Sequence, residues 1–197
     1  MVSLRIFFVS IGACVMSMQS AAAQPAKAVF AGGCFWCMES EFQEKPGVLA
    51  VVSGYTGGDA ATARYDLVSA KKTQHVEAVE VAYDAARISY SQLLEIYWGN
   101  IDPLDAGGQM YDRGPQYATV IFYGSDQEKQ QADASKQAVE KKLGQVVATR
   151  IEPLKPFYAA ENEHQDYYQT NPSHYNAYVT GSGRKAKLSS LWKADSK

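Results

Sequence analysis

The segment Gly32-Gly33-Cys34-Phe35-Trp36-Cys37 sets two thiols three positions apart around a pair of large aromatics. Such a pair can cycle between dithiol and disulfide. From Cys34 to about Lys45 the spacing is helical, with Phe35, Met38 and Phe42 within reach of one face. Pro46-Gly47 stops the run. Cys34 therefore falls at a predicted helix N-terminus, where the partial positive charge and free N–H groups favour a thiolate. The two glycines let the backbone turn tightly and bring a substrate close. Cys34 is the candidate nucleophile, and Cys37 is a thiol that could finish its reaction as a disulfide.

Several chemistries use a cysteine in this way. A Cys–His hydrolase could draw on His75, His164 or His174, but it has no need of Cys37. A thioredoxin-like thiol–disulfide exchange protein also carries C-x-x-C at a helix start. Its inner dipeptide is usually small or constraining, whereas Phe35-Trp36 suits an apolar ligand. A zinc site needs about four ligands, and no second cysteine pair is present to supply them. Phe35 and Trp36 could also be plain core residues.

A second chemical group lies in His75–Asp84, which reads HVEAVEVAYD. Strand alternation puts Glu77 on the same face as Val79 and Val81. If that face is buried, Glu77 is a carboxyl in apolar surroundings, and desolvation raises its pKa. If the face is open, Glu77 is an ordinary surface residue.

The elements that must position these groups follow from turn and cap signals. Ala28–Ala31 is a short apolar run before the glycines, and Val48–Val52 reads as a strand. Gly54–Gly58 reads as a loop. Ser89-Tyr90-Ser91-Gln92 is a capping box with Ile88 and Leu93 as its staple, opening a helix to about Trp98. Asn100–Pro115 is a Gly-, Asp- and Pro-rich loop ahead of a strand ending at Tyr123. Ser125–Glu128 is a second capping box, and its helix ends before Gly144. Val146–Glu152 is a further strand candidate. From Pro153 the chain is aromatic and irregular, with Glu163–Tyr168 its densest polar cluster. From about Gly181 it reads as a polar tail with an apolar patch at Leu188, Leu191 and Trp192. Strands and helices alternate loosely, with no repeat and no linker, which predicts a single α/β or α+β domain.

Bulk properties agree with one domain. The chain has 197 residues, 46% of them hydrophobic, and a net charge of −2. That balance, with no basic cluster, argues against a nucleic-acid partner. At the N-terminus, Arg5, the apolar run Ile6–Met16 and Ala21-Ala22-Ala23 have the layout of an export signal over residues 1–23, cleaved before Gln24. The run is shorter than the roughly 20 residues that span a bilayer, so stable membrane insertion is not expected. Lipid attachment at Cys14 fits the pattern less well than simple cleavage. Export implies the periplasm. Cleavage leaves Cys34 and Cys37 as the remaining thiols of the three cysteines, and a lone C-x-x-C in an oxidising compartment reads as redox-active. Its small loop removes little chain entropy, so it would be a poor structural staple.

From Val29 to Trp192 the chain also resembles the A-type peptide methionine sulfoxide reductases. The matching pieces come in order: AGGCFWC, PGV, SGYTGG, H-x-E-A-V, IDP, DAGGQ, DRG-x-QY, FY-x-AE-x-x-HQDYY and GSGR. The resemblance implies a two-layer α/β sandwich around a mixed sheet. It implies that Cys34 attacks the sulfoxide sulfur and that Phe35 and Trp36 hold the substrate methyl. Glu77 would protonate the departing oxygen, and Tyr65 and Tyr117 would hydrogen-bond it. Asp112 would orient the substrate or a water. Taken alone, the two tyrosines read as packing residues and Asp112 as a turn former. Cys37 would be the resolving thiol. No bound cofactor is implied. A thioredoxin-type protein, or dithiothreitol in its place, would be the reductant. Substrates would be oxidised proteins and peptides or free methionine sulfoxide, met by a monomer. The chain departs from common family patterns at Thr62-Ala63-Arg64 and Thr73-Gln74, and it has no cysteine near its C-terminus. A binding module for exposed methionines is the non-enzymatic alternative.

Overall fold

The computed structural model describes residues 25–193. The export signal and Cys14 lie outside the described residues. The elements in chain order are β1 (Ala26–Gly32), α1 (Phe35–Gln43), β2 (Val48–Thr56), α2 (Tyr65–Ser69), β3 (Val76–Tyr83) and α3 (Tyr90–Gly99). The short β4 (Gly108–Gln109) and β5 (Asp112–Arg113) follow, then β6 (Thr119–Tyr123) and α4 (Asp126–Leu143). The chain finishes with β7 (Arg150–Pro153), β8 (Phe157–Ala159), α5 (Tyr167–Thr170), α6 (Pro172–Gly181) and α7 (Arg184–Trp192).

Six strands form one mixed sheet in the order β7-β6-β1-β3-β2-β8. The β6–β7 pair is parallel and the other neighbours are antiparallel. Alternation along β1 sends Ala28 and Phe30 into the main core with Phe35, Met38, Phe42, Leu93, Leu94 and Tyr97 from α1 and α3. Val29 and Ala31 point the other way, into a smaller cluster with Val76, Ala78, Val120 and Phe122. Helices over a mixed sheet give the expected α/β architecture in one domain.

The cap signals hold up at α3, where the Ser89 side chain accepts from Gln92 N–H and Gln92 answers to the Ser89 backbone. At α4 only half the box forms. Ser125 caps Glu128 N–H, but the Glu128 carboxylate turns back one residue further, to Gly124 N–H at 2.6 Å.

Three expectations need correction. β2 continues through Gly54-Tyr55-Thr56, read from sequence as a loop, because both its edges are paired there, with β3 and with β8. The strand expected over Val146–Glu152 is confined to Arg150–Pro153, alongside β6. The segment from Gly181 is a helix rather than a tail. Leu188 and Trp192 sit one turn apart on one face of α7, and Leu188 is buried while Trp192 packs on the main core.

Candidate active site

Cys34 is the N-cap residue of α1. The turn that puts it there runs through Gly33, whose φ of +85° suits glycine. A Cβ on Gly33 would meet Gln109 Cβ at 2.6 Å. Gln109 is itself clamped: Oε1 accepts from Asp102 N–H, and Nε2 donates to the Asp102 and Gly108 carbonyls, all at 2.8 Å. The IDP and DAGGQ stretches therefore serve as a brace behind the nucleophile's turn. Cys34 and Cys37 are both free thiols and both buried.

Glu77 comes up from β3 beneath this helix start. It shares its face with Val79, Val81 and Tyr83, all in the main core, and it is 2% exposed. Its Oε2 accepts from Phe35 N–H at 3.0 Å. Burial outweighs that hydrogen bond and pushes the Glu77 pKa up to about 8. At neutral pH the carboxyl is mostly protonated and can donate. Burial also holds the Cys34 thiol well above the usual thiol range, with the hydrogen bond and charge of Cys37 adding to it. The resting nucleophile is therefore a thiol.

Tyr65, at the start of α2, and Tyr117, at the end of a 3-10 turn, both feel the charges of Glu77, Asp112 and Cys34. Burial first, then those charges, raise both phenol pKa values, so both rest as donors. The Glu161 carboxylate fixes α2 in place by accepting from Tyr65 N–H at 2.9 Å. Asp112, on β5, accepts a hydrogen bond from the Tyr178 hydroxyl of α6. Burial raises its pKa, against that hydrogen bond and the charge of Arg184.

The two aromatics of the motif separate. Phe35 is fully buried among Tyr55, Tyr65 and His164. Trp36 is partly buried. It lies flat against Tyr167 with ring centroids 3.7 Å apart and planes within 5°, and it meets the Tyr178 ring edge-on. Its indole N–H donates to His164 Nδ1 at 3.2 Å. The fold brings together all eight residues singled out from the sequence. It also brings in His164, Tyr167, Tyr175 and Tyr178, which sequence reasoning did not assign to the site. The dense polar cluster at Glu163–Tyr168 was the available clue.

The geometry bears on the competing chemistries. Among the described residues no histidine hydrogen-bonds to Cys34. His164 is committed to Trp36, and His75 accepts from Gly58 N–H through Nδ1. No three His, Cys, Asp or Glu side chains among the described residues gather to hold a metal ion. No helix among them is long and apolar enough to cross a membrane.

Residues 26–196 match the family described as peptide methionine sulfoxide reductase. The chain belongs to the peptide methionine sulfoxide reductase family. A relative, peptide methionine sulfoxide reductase MsrA of Bacillus subtilis (strain 168), is 47% identical over 169 residues, which cover 85% of this chain and 96% of that protein. Among solved structures, reduced Mxr1 of Saccharomyces cerevisiae superposes with a TM-score of 0.72 at 28% identity, covering 80% of this chain and 91% of that one. Methionine sulfoxide reductase A of Corynebacterium diphtheriae gives 0.71 at 28% identity, with 81% of each chain covered. Mxr1 in complex with Trx2 matches in fold alone, with a TM-score of 0.51 at 21% identity. Family membership makes the protein an oxidoreductase whose reaction is the thiol-dependent reduction of methionine sulfoxide.

Proposed function

We propose that the protein reduces the S epimer of methionine sulfoxide in peptides and proteins, and free methionine sulfoxide as well. Cys34 is the nucleophile, Glu77 the acid and Cys37 the resolving thiol. The observation that carries this reading is a buried carboxyl, Glu77, that accepts from the first N–H after a buried free thiol. The epimer follows from the A-type sequence resemblance.

Cys34 Sγ bonds to the sulfoxide sulfur while Glu77 gives its proton to the sulfoxide oxygen, and the thiol proton of Cys34 restores Glu77. Tyr65 and Tyr117 donate to that oxygen, where negative charge develops. The substrate's S–O bond breaks and the protonated oxygen leaves as water; a water oxygen then bonds to Cys34 Sγ, the Cys34–substrate sulfur bond breaks with its electron pair going to the substrate, and the thioether and a Cys34 sulfenic acid remain. Cys37 then attacks Cys34 Sγ. An S–S bond forms, the S–OH bond breaks, and hydroxide leaves to become water. An external dithiol supplies two electrons to reopen the disulfide. A thioredoxin-type protein is the proposed reductant, and the complex of Mxr1 with Trx2 supports that class.

Trp36 and Phe35 form the apolar wall against which the substrate methyl rests, and Asp112 orients the polar side. The proposed compartment is the periplasm, a reading supported by the export-signal layout of residues 1–23. The test is reduction of a methionine sulfoxide peptide by the protein with dithiothreitol. Methionine should form with the wild type and not with Cys34→Ser. Thioredoxin-like exchange would instead show as activity on scrambled protein disulfides with the sulfoxide untouched.

A further inference from the structure

The hairpin of β4 and β5 carries an aromatic side chain that the steps above do not use. Its strands pair Gly108 with Arg113 and Gln109 with Asp112, which leaves Met110 and Tyr111 as the tip. The base of the hairpin is tied down. Arg113 makes a two-pronged ion pair with Asp105, Gly114 N–H donates to the Gly107 carbonyl at 2.9 Å, and Gln109 is clamped to Asp102. Tyr111 stands on this tip 67% exposed, directly before Asp112. Both residues meet α6. The Tyr178 hydroxyl donates to Asp112, and the Tyr111 ring lies against Gly181 about one turn further on, where an added Cβ would come within 3.8 Å of it. Tyr178 in turn meets the Trp36 ring edge-on. Trp36, Tyr178, Asp112 and Tyr111 therefore form a run from the proposed methyl wall out to open surface. At its end the Tyr111 ring still has most of its apolar area in water, free to be covered by a ligand.

We propose that Tyr111 is a specificity-determining residue for peptide and protein substrates, its ring stacking on an apolar or aromatic side chain next to the oxidised methionine. The inference rests on the proposed function. With the sulfoxide side chain held at Cys34, the substrate backbone on either side must leave across the rim of the site. Consecutive Cα atoms lie about 3.8 Å apart, so the direct neighbours of the oxidised residue stay close to that rim. Asp112 is the residue proposed to orient the polar side of the substrate, and Tyr111 adjoins it in the chain. The tied hairpin base presents the ring already ordered, so little freedom is lost when a neighbouring side chain settles on it. A tyrosine also offers a large contact with few rotatable bonds. Free methionine sulfoxide has no neighbouring side chain and gains nothing from this ring.

The test compares a short peptide carrying phenylalanine on both sides of methionine sulfoxide with the same peptide carrying serine in both places. Dithiothreitol is the reductant, because it needs no docking surface. The wild type should favour the phenylalanine peptide in kcat/KM, with the difference lying in KM. Tyr111→Phe keeps the ring and should keep the preference. Tyr111→Ala should reduce the preference roughly three- to tenfold. A preference that persists in folded Tyr111→Ala, or that is absent from the wild type, overturns the proposal. So does an unchanged peptide preference joined to weaker use of thioredoxin by Tyr111→Ala, which would make the ring a docking point for the reductant. If Tyr111→Ala does not fold, Tyr111→Ser gives the same comparison. Absence of methionine from both peptides with the wild type would sink the reductase reading and the subsite with it, whereas methionine formed equally well from both sinks the subsite alone.

Discussion

Phe35 N–H donates to Glu77 Oε2 at 3.0 Å, so the residue beside the nucleophile is tied to the acid from another strand. One bond sets the distance between the two reacting groups. It also explains why a carboxyl can be buried here: one oxygen is satisfied by the helix N-terminus and the proton stays on the group. Glu77→Gln keeps an acceptor for Phe35 N–H and removes the acidic proton. We expect kcat to fall about 10²–10⁴-fold with KM little changed. Steady-state kinetics on a sulfoxide peptide checks this, and an unchanged kcat would remove Glu77 as the acid.

The pH profile should show the same group. The Glu77 pKa is raised to about 8, so the donating form is present below that pH and lost above it. The first-turnover rate should therefore fall as pH rises through about 8. In Glu77→Gln that alkaline limb should vanish. A limb that persists in the variant belongs to another group.

Cys37→Ser leaves the nucleophile and acid in place and removes the resolving thiol. With thioredoxin as reductant it should form one equivalent of methionine and then stall. Rapid quench would read that single equivalent. Normal turnover with thioredoxin would mean that Cys37 does not resolve the intermediate.

Glu39 offers a stability test away from the chemistry. It is buried on α1, and its Oε1 accepts from Asp166 N–H. Burial raises its pKa to about 7. Between the ordinary carboxyl value and about 7 the folded protein keeps a proton that the unfolded chain has lost. Stability therefore falls as pH rises through that window. Glu39→Gln removes this cost and should stabilise the protein at pH 8, on the order of 2 kcal/mol, with no gain near pH 4.5. Thermal melts at the two pH values decide it.

Much of this site was legible in sequence because its parts are local. Cys34 needed only a glycine turn and a helix start, and Glu77 needed only strand alternation against Val79 and Val81. The covering wall was not legible. Tyr167, Tyr175 and Tyr178 come from short helices with no strong apolar period; Tyr175 and Tyr178 reach the thiols, and Tyr167 reaches Trp36, through tertiary packing. Gln109 was seen only as a motif letter. Its role behind Gly33 depends on a positive φ at that glycine and a contact 76 positions away in sequence from neither strand pairing nor a cap.

The central claim is tested by offering the protein a racemic methionine sulfoxide peptide with dithiothreitol and following each epimer by chromatography, with Cys34→Ser alongside. The S epimer should be consumed by the wild type alone, and the R epimer should remain. Survival of both epimers in a folded, fully reduced sample would contradict it.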